Sequence, residues 1–335
     1  MKKRREGDIL KRGGKVLLFS LILLFTSYLF IPSFSGKEVL VKIPKGANSK
    51  EISFILYKSK IIGNPYFFLL LVKILNCEGK LKAGVYEFKS PTLLSTFDVL
   101  LKGKVKIYKI TFPEGLPKWE VAGILAGRKI VEEEKFLEVV ENAGLFYKDF
   151  PWLKNEKSLE GYLFPDTYYF TLDEDPEKVV KEFLTRFEQK VLPLYNTYLN
   201  QKENPLSLHE VVVLASIVEK EAKVDFEKPI IAGVFYNRLK KGMKLMADPT
   251  IKYALRDFNV RLDKKMLIYP SSYNTYIYPG LPPGPICNPG TESVKATLWP
   301  AEIDYLYFVA RGDGTHEFST TYRDHLEAIK KYKRG

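Results

Sequence analysis

The stretch VKIPKG at residues 41–46 recurs as ITFPEG at residues 110–115, 69 positions further along the chain. In both copies an apolar segment leads into a Pro-x-Gly turn, after which apolar residues recur three or four positions apart. This order predicts a strand, a turn and a helix in each copy. Between the copies, the pattern predicts a second helix at Pro65–Leu75 and a strand at Gly84–Phe88. The repeat therefore predicts an α+β fold, with residues 39–106 as a small subdomain.

The composition limits the classes of protein to which the chain can belong. With 335 residues, 46% of them hydrophobic and 14% aromatic, it can bury the cores of at least two compact domains. The formal net charge of +12 favours an anionic partner, but charge alone does not choose among phospholipid, cell-wall polymer and nucleic acid. The two cysteines are far apart and the three histidines lack zinc-site spacing, so we expect no disulfide framework and no metal. The sequence has no Gly-rich phosphate loop, and we expect no cofactor.

The N-terminus combines a basic flank with a long uncharged run. Residues 1–15 contain seven Lys or Arg against Glu6 and Asp8, and residues 16–34 have no ionisable side chain except the phenol of Tyr28. Because that run has about the length that a helix needs to cross a bilayer, we predict a single transmembrane helix at residues 16–34. The positive-inside rule places residues 1–15 in the cytoplasm and the rest of the chain outside it. A cleaved signal peptide is the alternative, although the run is long and lacks a small-x-small cleavage site.

A helix predicted at Pro205–Ala222 carries two carboxyl groups near its end, those of Glu219 and Glu221. On a helical wheel Glu221 falls in an apolar sector, between Ile217 and Leu214, whereas Glu219 falls toward the more polar side and is expected to be solvated. Burial among aliphatic side chains disfavours the charged form, which raises a carboxyl pKa and retains the proton that a general acid needs. The alternative is that Glu221 bends out to water or pairs with the neighbouring lysine.

Other elements of the second half are predicted from local signals. Asp175-Pro176 is typical of a helix start, which predicts a helix at Asp175–Leu192. A strand is predicted at Leu306–Ala310, followed by a turn at Arg311–Gly314 and a partner strand at Glu317–Ser319.

Six segments of the second half share their order and spacing with one protein family. They are SLEGYLFPDTYYF (158–170), ASIVEKEA (215–222), VFYNRL (234–239), LMADPTIKYA (245–254), SYNTYIYPGLPPGPICNPG (272–290) and YLYFVA (305–310). Together they strongly resemble the YceG-like family of endolytic murein transglycosylases, and the resemblance runs from about Lys42 to the C-terminus. The chain departs from the family pattern at Met246 and Ala247, where Gln and Thr are common, and at Ala222, where Thr is common.

The resemblance implies a membrane-anchored enzyme with a LysM-like subdomain at residues 39–106 and a lysozyme-related catalytic domain at residues 107–335. In that family the second Glu of the helix motif, Glu221 here, is the catalytic residue. The implied reaction is endolytic, non-hydrolytic cleavage of the β-1,4 bond between N-acetylmuramic acid and N-acetylglucosamine in nascent peptidoglycan, which leaves 1,6-anhydro ends and terminates strand elongation. The expected location is the inner (cytoplasmic) membrane, with the catalytic domain on its periplasmic, extracytoplasmic side. The expected partners are glycan strands, the inner membrane and peptidoglycan synthases, with no nucleic acid.

Nine residues of the quoted segments are candidate substrate-binding residues. The proline-rich loop from Tyr273 to Asn288 presents aromatic faces beside amide side chains, which suits pyranose rings, and a rigid connection is its alternative role. Asp248 precedes Pro249 and is also a candidate helix cap, while Tyr168 is also a candidate core residue. The nine candidates are Glu160, Tyr168, Asn237, Asp248, Tyr273, Asn274, Thr275, Tyr276 and Asn288.

Two other functions stay open from the sequence. A hydrolytic muramidase needs a second carboxylate across the groove, which Glu160 or Asp166 would supply. A non-catalytic wall-binding scaffold of the division or elongation machinery needs no such group. A strand-turn-helix repeat is also common in scaffolds that bind no sugar.

Overall fold

The computed structural model describes residues 15, 19–20, 23–33 and 38–332, and the chain forms two compact units. The first contains residues up to Tyr108 together with Thr171–Asp173, and the second contains Lys109–Phe170 and the chain from Glu174 onward. Helices and strands occur in both units, so the predicted mixed α+β fold is confirmed. The predicted boundary between residues 106 and 107 lies two residues before this division.

The first unit is built on two antiparallel strands connected by two helices. Val39 on the first strand lies opposite Phe88 on the second. The first helix begins at Asn48, whose side chain accepts a hydrogen bond from the N–H of Glu51, and apolar side chains from all five elements form the core. The elements are β1 (Val39–Ile43), α1 (Ser49–Lys58), α2 (Pro65–Ile74), β2 (Gly84–Phe88) and α3 (Leu93–Lys102).

The chain at the start of the second unit repeats the order of elements of the first. Helices α1 and α4 begin and end at matching positions of the 69-residue register. The turns contain Gly46 and Gly115, with φ of +80° and +78°, a region that glycine adopts without steric cost. The predicted strand-turn-helix repeat is therefore confirmed in both copies. The repeated elements are β3 (Ile107–Thr111), α4 (Lys118–Gly127), α5 (Glu133–Val140) and β4 (Thr167–Thr171), with β3 and β4 paired.

The rest of the second unit is mainly helical. The prediction that its long helix ends at Leu192 is wrong, because the helix continues through Pro193 to Leu199. Val191 and Tyr198, on either side of the proline, are both buried, and this packing supports the continuation. The helices are α6 (Pro176–Leu199), α7 (Leu208–Glu221), α8 (Lys228–Lys240), α9 (Asp248–Ala254), α10 (Thr291–Leu298) and α11 (Tyr322–Tyr332).

Helix α7 is the central helix of this unit. It begins after Ser207, whose side chain accepts a hydrogen bond from the N–H of Glu210, and it packs against α8, α9 and α10. Every residue from Val211 to Val218 is buried. This part of the helix is therefore buried on every face. The helical wheel, which predicts one polar face, accounts for only part of these surroundings.

A β-hairpin follows α10 and confirms the predicted strand pair near the C-terminus. Its strands are β5 (Tyr307–Ala310) and β6 (His316–Ser319), with Ala310 opposite His316. The second strand thus begins one residue earlier than predicted. In the turn, the Asp313 carboxylate accepts hydrogen bonds from the N–H and the hydroxyl of Thr315, which fixes the approach to β6.

The predicted membrane anchor lies partly outside the described residues, as does all of the predicted cytoplasmic tail except Lys15. Residues 23–28 are helical, and Phe25 and Tyr28 pack edge-on against Phe67 of α2. In the described part of the chain, no helix combines the length and apolar character that a membrane span requires.

Candidate active site

A cavity of about 480 Å³ lies in the second unit, where the end of α7 meets α8, the start of α9, the β5–β6 hairpin and α11. One face of the lining is charged, and aromatic rings form much of the rest. Charged and aromatic lining residues include Glu221, Arg238, Asp248, Tyr276, Tyr307 and His316. The cavity therefore brings together residues from segments that lie more than 100 positions apart in the sequence.

Glu221 is the last residue of α7, and its half-buried side chain lines this cavity. Burial, and after it the nearby charge of Asp248, raise the pKa of its carboxyl group to about 8, against the opposing charges of Arg238 and Lys252. Among the described residues, none forms a hydrogen bond with this carboxyl group. Glu221 is therefore a protonated carboxyl at neutral pH whose proton is available to a bound molecule.

Arg238 provides a fixed positive charge on the α8 side of the cavity. Its guanidinium is buried, donates hydrogen bonds to the carbonyl oxygens of Leu306 and Leu245, both at 2.6 Å, and lies 5.5 Å from the ring centre of Tyr307. These contacts hold the hairpin against α8 and keep the cation near Glu221. The charge of Arg238 favours the ionised form of Glu221 and so lowers its pKa, against the effect of burial.

Asp248 and Tyr276 are two sequence-predicted residues that the structure brings to the same cavity as Glu221. The interpretation of Asp248 as a helix cap is wrong, since Ala247 occupies the cap position and Asp248 is the first residue of α9. Its carboxylate instead accepts a hydrogen bond of 2.6 Å from the phenol of Tyr276. The cavity thus holds a second carboxylate besides Glu221.

Glu219, two residues before Glu221, has a structural role. The expectation that it is solvated is wrong, because its side chain is only 10% exposed. Its carboxylate accepts hydrogen bonds from the N–H of Gly290 at 3.0 Å and the hydroxyl of Ser293 at 2.6 Å, at the start of α10. It also lies 3.7 Å from the Lys228 ammonium. Glu219 therefore ties α7 to α10.

Glu160 and Asn288 belong to a buried polar cluster outside this cavity. The Glu160 carboxyl accepts hydrogen bonds from the N–H of Lys118 and the phenol of Tyr253, and burial raises its pKa to about 7. Asn288 accepts two backbone N–H bonds, one from Gly161, and donates to the carbonyl oxygen of Leu116. Each polar group is occupied within the protein, which favours a structural role over contact with substrate.

Gly161 shows how tightly this cluster is packed. Its φ of +89° suits glycine, and a Cβ there would lie 2.5 Å from Pro285 and 2.7 Å from Val212. The segment around Glu160 therefore passes directly against α7 and the proline-rich loop. Packing and backbone conformation therefore both require a glycine at position 161.

The other predicted binding residues also have internal partners. Tyr168 is buried and its phenol donates to the carbonyl oxygen of Phe164, so its ring is part of the core. Asn274 and Thr275 are buried, and Tyr273 packs against Tyr253 with ring centres 4.8 Å apart. Asn237 donates to the carbonyl oxygens of Ile303 and Tyr305. Of the nine candidates, only Asp248 and Tyr276 line the cavity of Glu221.

Several cavity residues were missed by the sequence reasoning. Tyr307 and Phe308 lie in a quoted segment, but their alternation along a strand gave no indication of which face meets the cavity. His316 and His325 line the cavity from β6 and α11, and their spacing in the sequence indicates only that they do not form a zinc site. In the sequence, only the Gly-x-Gly-x-His pattern indicates that His316 directly follows a tight hairpin turn.

The fold and the cavity define a two-unit α+β protein with a carboxyl group of raised pKa at the end of a buried helix. The profile of the YceG-like family matches residues 41–331, and the chain belongs to that family. It is 34% identical over 312 residues to the endolytic murein transglycosylase of Bacillus subtilis, covering 89% of this chain and 86% of that protein.

Two further relatives agree with this assignment. The endolytic murein transglycosylase of Streptococcus pneumoniae D39 is 31% identical, and the match covers 97% of this chain and 63% of that longer protein. The crystal structure of a yceG-like protein from Listeria monocytogenes superimposes with a TM-score of 0.60 at 34% identity, covering 88% of this chain and 99% of that one. The likeness therefore extends through both units.

Proposed function

We propose that this protein is an endolytic peptidoglycan lytic transglycosylase in which Glu221 is both the general acid and the general base. The observation that carries the proposal is the Glu221 carboxyl, protonated at neutral pH by burial and open to the cavity. The relatives from Bacillus subtilis and Streptococcus pneumoniae, both named for this activity, support it.

The reaction needs one carboxyl group that acts twice. Glu221 first gives its proton to the glycosidic oxygen, and the bond between that oxygen and C1 of N-acetylmuramic acid breaks through an oxocarbenium-like state. The carboxylate then takes the proton of the C6 hydroxyl while O6 bonds to C1, which forms the 1,6-anhydro ring. The proton returns to Glu221, and no water is consumed. Arg238 stabilises the carboxylate between the two steps.

Within the cell, we place the enzyme on the inner membrane with its N-terminus in the cytoplasm and its catalytic unit on the outer side. The uncharged run at residues 16–34 and the basic residues before it support this topology. Cleavage of strands close to the membrane would terminate the elongation of nascent glycans, and peptidoglycan synthases would be its neighbours. A reporter that is active only in the cytoplasm should stay inactive when fused to the C-terminus.

The first unit is the candidate LysM-like, glycan-binding module. A cavity of about 620 Å³ lies between the β1–α1 turn and the segment before β2, with Asn48, Lys50 and Glu78 among its polar lining residues. A cavity with polar groups beside apolar side chains suits a sugar. We expect substitution of these residues to weaken binding to insoluble peptidoglycan more than cleavage at saturating substrate.

A hydrolytic muramidase is the second candidate, favoured by Asp248. Glu160 and Asp166, the carboxylates first considered for this role, are engaged elsewhere: Glu160 in the buried cluster, and Asp166 with Arg186 at 3.2 Å. Asp248 is the carboxylate that shares the cavity with Glu221. A second carboxylate beside the acid is the arrangement that hydrolytic glycosidases use.

Mass spectrometry of the products distinguishes the candidates. The full-length protein in detergent is incubated with purified peptidoglycan, and the new ends are identified. Anhydromuramyl ends support the lytic reaction, and reducing ends of N-acetylmuramic acid would support hydrolysis. Binding to peptidoglycan without any new ends would support a non-catalytic scaffold.

A further inference from the structure

His316, the first residue of β6, forms a carboxylate-histidine pair with Glu227. One Glu227 oxygen accepts a hydrogen bond from the backbone N–H of His316 at 2.9 Å, and the other lies 2.7 Å from His316 Nδ1. Both side chains are buried, and the imidazole packs edge-on against Phe308 with ring centres 5.3 Å apart. The ring therefore has one fixed orientation.

This pairing determines which ring nitrogen carries the hydrogen. A carboxylate only accepts hydrogen bonds, so Nδ1 is the nitrogen that donates to Glu227. In the neutral ring Nε2 is then an acceptor. No described residue bonds to Nε2, although the His316 side chain lines the cavity that contains Glu221.

His316 Nε2 adds a nitrogen acceptor to the charged groups of the cavity. The protonated Glu221 carboxyl can donate, Arg238 already donates to two carbonyl oxygens, and one oxygen of the Asp248 carboxylate accepts from Tyr276. A sugar presents several hydroxyl and amide N–H donors. A neutral acceptor can bind one of them without placing another negative charge beside Glu221.

A short chain segment also connects the Glu227–His316 pair to Glu221. Glu227 lies six residues after Glu221, in the short 3₁₀ helix Asp225–Glu227 that leads from α7 into α8. The same connection therefore sets the positions of both side chains, and the Glu227 bonds fix the hairpin strand to it.

We propose that His316 contacts the glycan directly, with Nε2 accepting a hydrogen bond from a sugar hydroxyl or acetamido N–H, and that Glu227 is the positioning residue that orients it. This inference rests on the proposed function in so far as the ligand is a glycan. It assigns to β6 a substrate contact in the cavity that Glu221 also lines.

A second histidine of the chain is a matched control. His209 Nδ1 lies 2.8 Å from Glu156, but its Nε2 lies 3.2 Å from the carbonyl oxygen of Pro283, and it does not line the cavity. His209 thus also pairs with a carboxylate through Nδ1, but both of its ring nitrogens are occupied. Substituting it tests the loss of a carboxylate-histidine pair without the loss of a cavity acceptor.

The kinetic test compares His316→Asn with His209→Asn in the full-length protein. The Asn amide can keep the donor to Glu227 while it removes Nε2. We expect His316→Asn to lower kcat/KM on peptide-free glycan strands by about tenfold, the effect of one lost hydrogen bond, mainly through KM. Glu227→Gln, which can donate to Nδ1 and so convert Nε2 into a donor, should give a similar loss. His209→Asn should stay within about twofold of wild type.

Nuclear magnetic resonance of ¹⁵N-histidine-labelled protein provides a readout that a purely structural role would not move. We expect the Nδ1–H tautomer at His316, and a shift of its Nε2 signal when glycan strands are added to the non-cleaving Glu221→Gln variant. An Nε2–H tautomer, or an unshifted signal at saturating glycan, would overturn the inference. Normal cleavage with unchanged kcat/KM in His316→Asn would overturn it while leaving the proposed function intact. A wild type that shifts the Nε2 signal without cleaving would instead overturn the proposed function and leave the contact supported.

Discussion

The phenol of Tyr276 donates a hydrogen bond of 2.6 Å to Asp248 Oδ1 at the cavity that contains Glu221. The pair holds a carboxylate charge close to Glu221, and after burial this charge is the second cause of the raised pKa of Glu221. The protonation of Glu221 thus depends on a neighbour that need not transfer a proton itself.

Asp248→Asn should shift the alkaline limb of the pH profile to lower pH. Removing the repulsive charge lowers the pKa of Glu221, and because the protonated form is the active acid, activity is then lost at lower pH as the pH rises. The measurement is kcat/KM against pH on purified glycan strands. Tyr276→Phe keeps the Asp248 charge and should leave the limb near that of wild type. An alkaline limb that does not move in Asp248→Asn would contradict the role of this charge.

Glu219→Gln should lower the free energy of unfolding more than it lowers the rate of cleavage. The substitution removes the charge that faces Lys228 and weakens the bonds to Gly290 and Ser293, so we expect a loss of about 1–3 kcal/mol in the free energy of unfolding. Below its unfolding temperature the variant should retain most of its activity. The exposed Glu292, in the same helix α10, provides the control Glu292→Gln, which should have little effect. A fully stable but inactive Glu219→Gln variant would instead place Glu219 in the reaction.

Asn288→Ala should destabilise the second unit. It leaves two backbone N–H groups, those of Gly161 and Leu163, without their buried acceptor, and we expect a loss of about 2 kcal/mol or more in denaturant unfolding. Asn259→Ala, at an exposed position, is the matched control. If Asn288→Ala unfolds like wild type but binds glycan strands weakly, Asn288 is a substrate ligand after all.

The sequence predicted those parts of the fold that follow from local periodicity. The 69-residue repeat, the helix that ends at Glu221 and the C-terminal hairpin all have one clear pattern of apolar residues and turn signals. The wheel placed Glu221 in an apolar sector, and its pKa is indeed raised by burial. It failed for Glu219, because the polar partners of that residue come from α10, some 70 positions away.

The composition of the cavity could not be predicted from local pattern for the same reason. Asn288, Asn274 and Thr275 have the polar side chains expected of sugar ligands, but tertiary packing turns them inward to satisfy backbone groups. His316 reaches the cavity only because the hairpin folds back across the end of α7. Long-range contacts of this kind leave no periodic signal in the sequence.

Glu221→Gln should abolish the formation of anhydromuramyl ends while preserving glycan binding. Gln keeps the size of the side chain but has no transferable acidic proton, and each acid or base role commonly contributes about a hundredfold to ten-thousandfold in rate. Product analysis by mass spectrometry measures the loss, and co-sedimentation with insoluble peptidoglycan measures binding. Glu292→Gln again serves as the control and should cleave like wild type. An active Glu221→Gln variant would remove the basis for the proposed mechanism.

The same Glu221→Gln variant should also be more stable than wild type at alkaline pH. The folded-state pKa of Glu221, about 8, lies above the unfolded value of about 4.3, so the folded state binds the proton more tightly. The stability that this proton contributes is fully present below pH about 4.3 and is lost as the pH rises through about 8. The variant has no such proton, so its advantage in the free energy of unfolding should grow across this window and level off above it, at no more than about 5 kcal/mol. Urea unfolding of both proteins at several pH values measures the difference, with Glu292→Gln expected to follow wild type throughout. A difference that is independent of pH would mean that the Glu221 carboxyl is not held protonated in the folded protein.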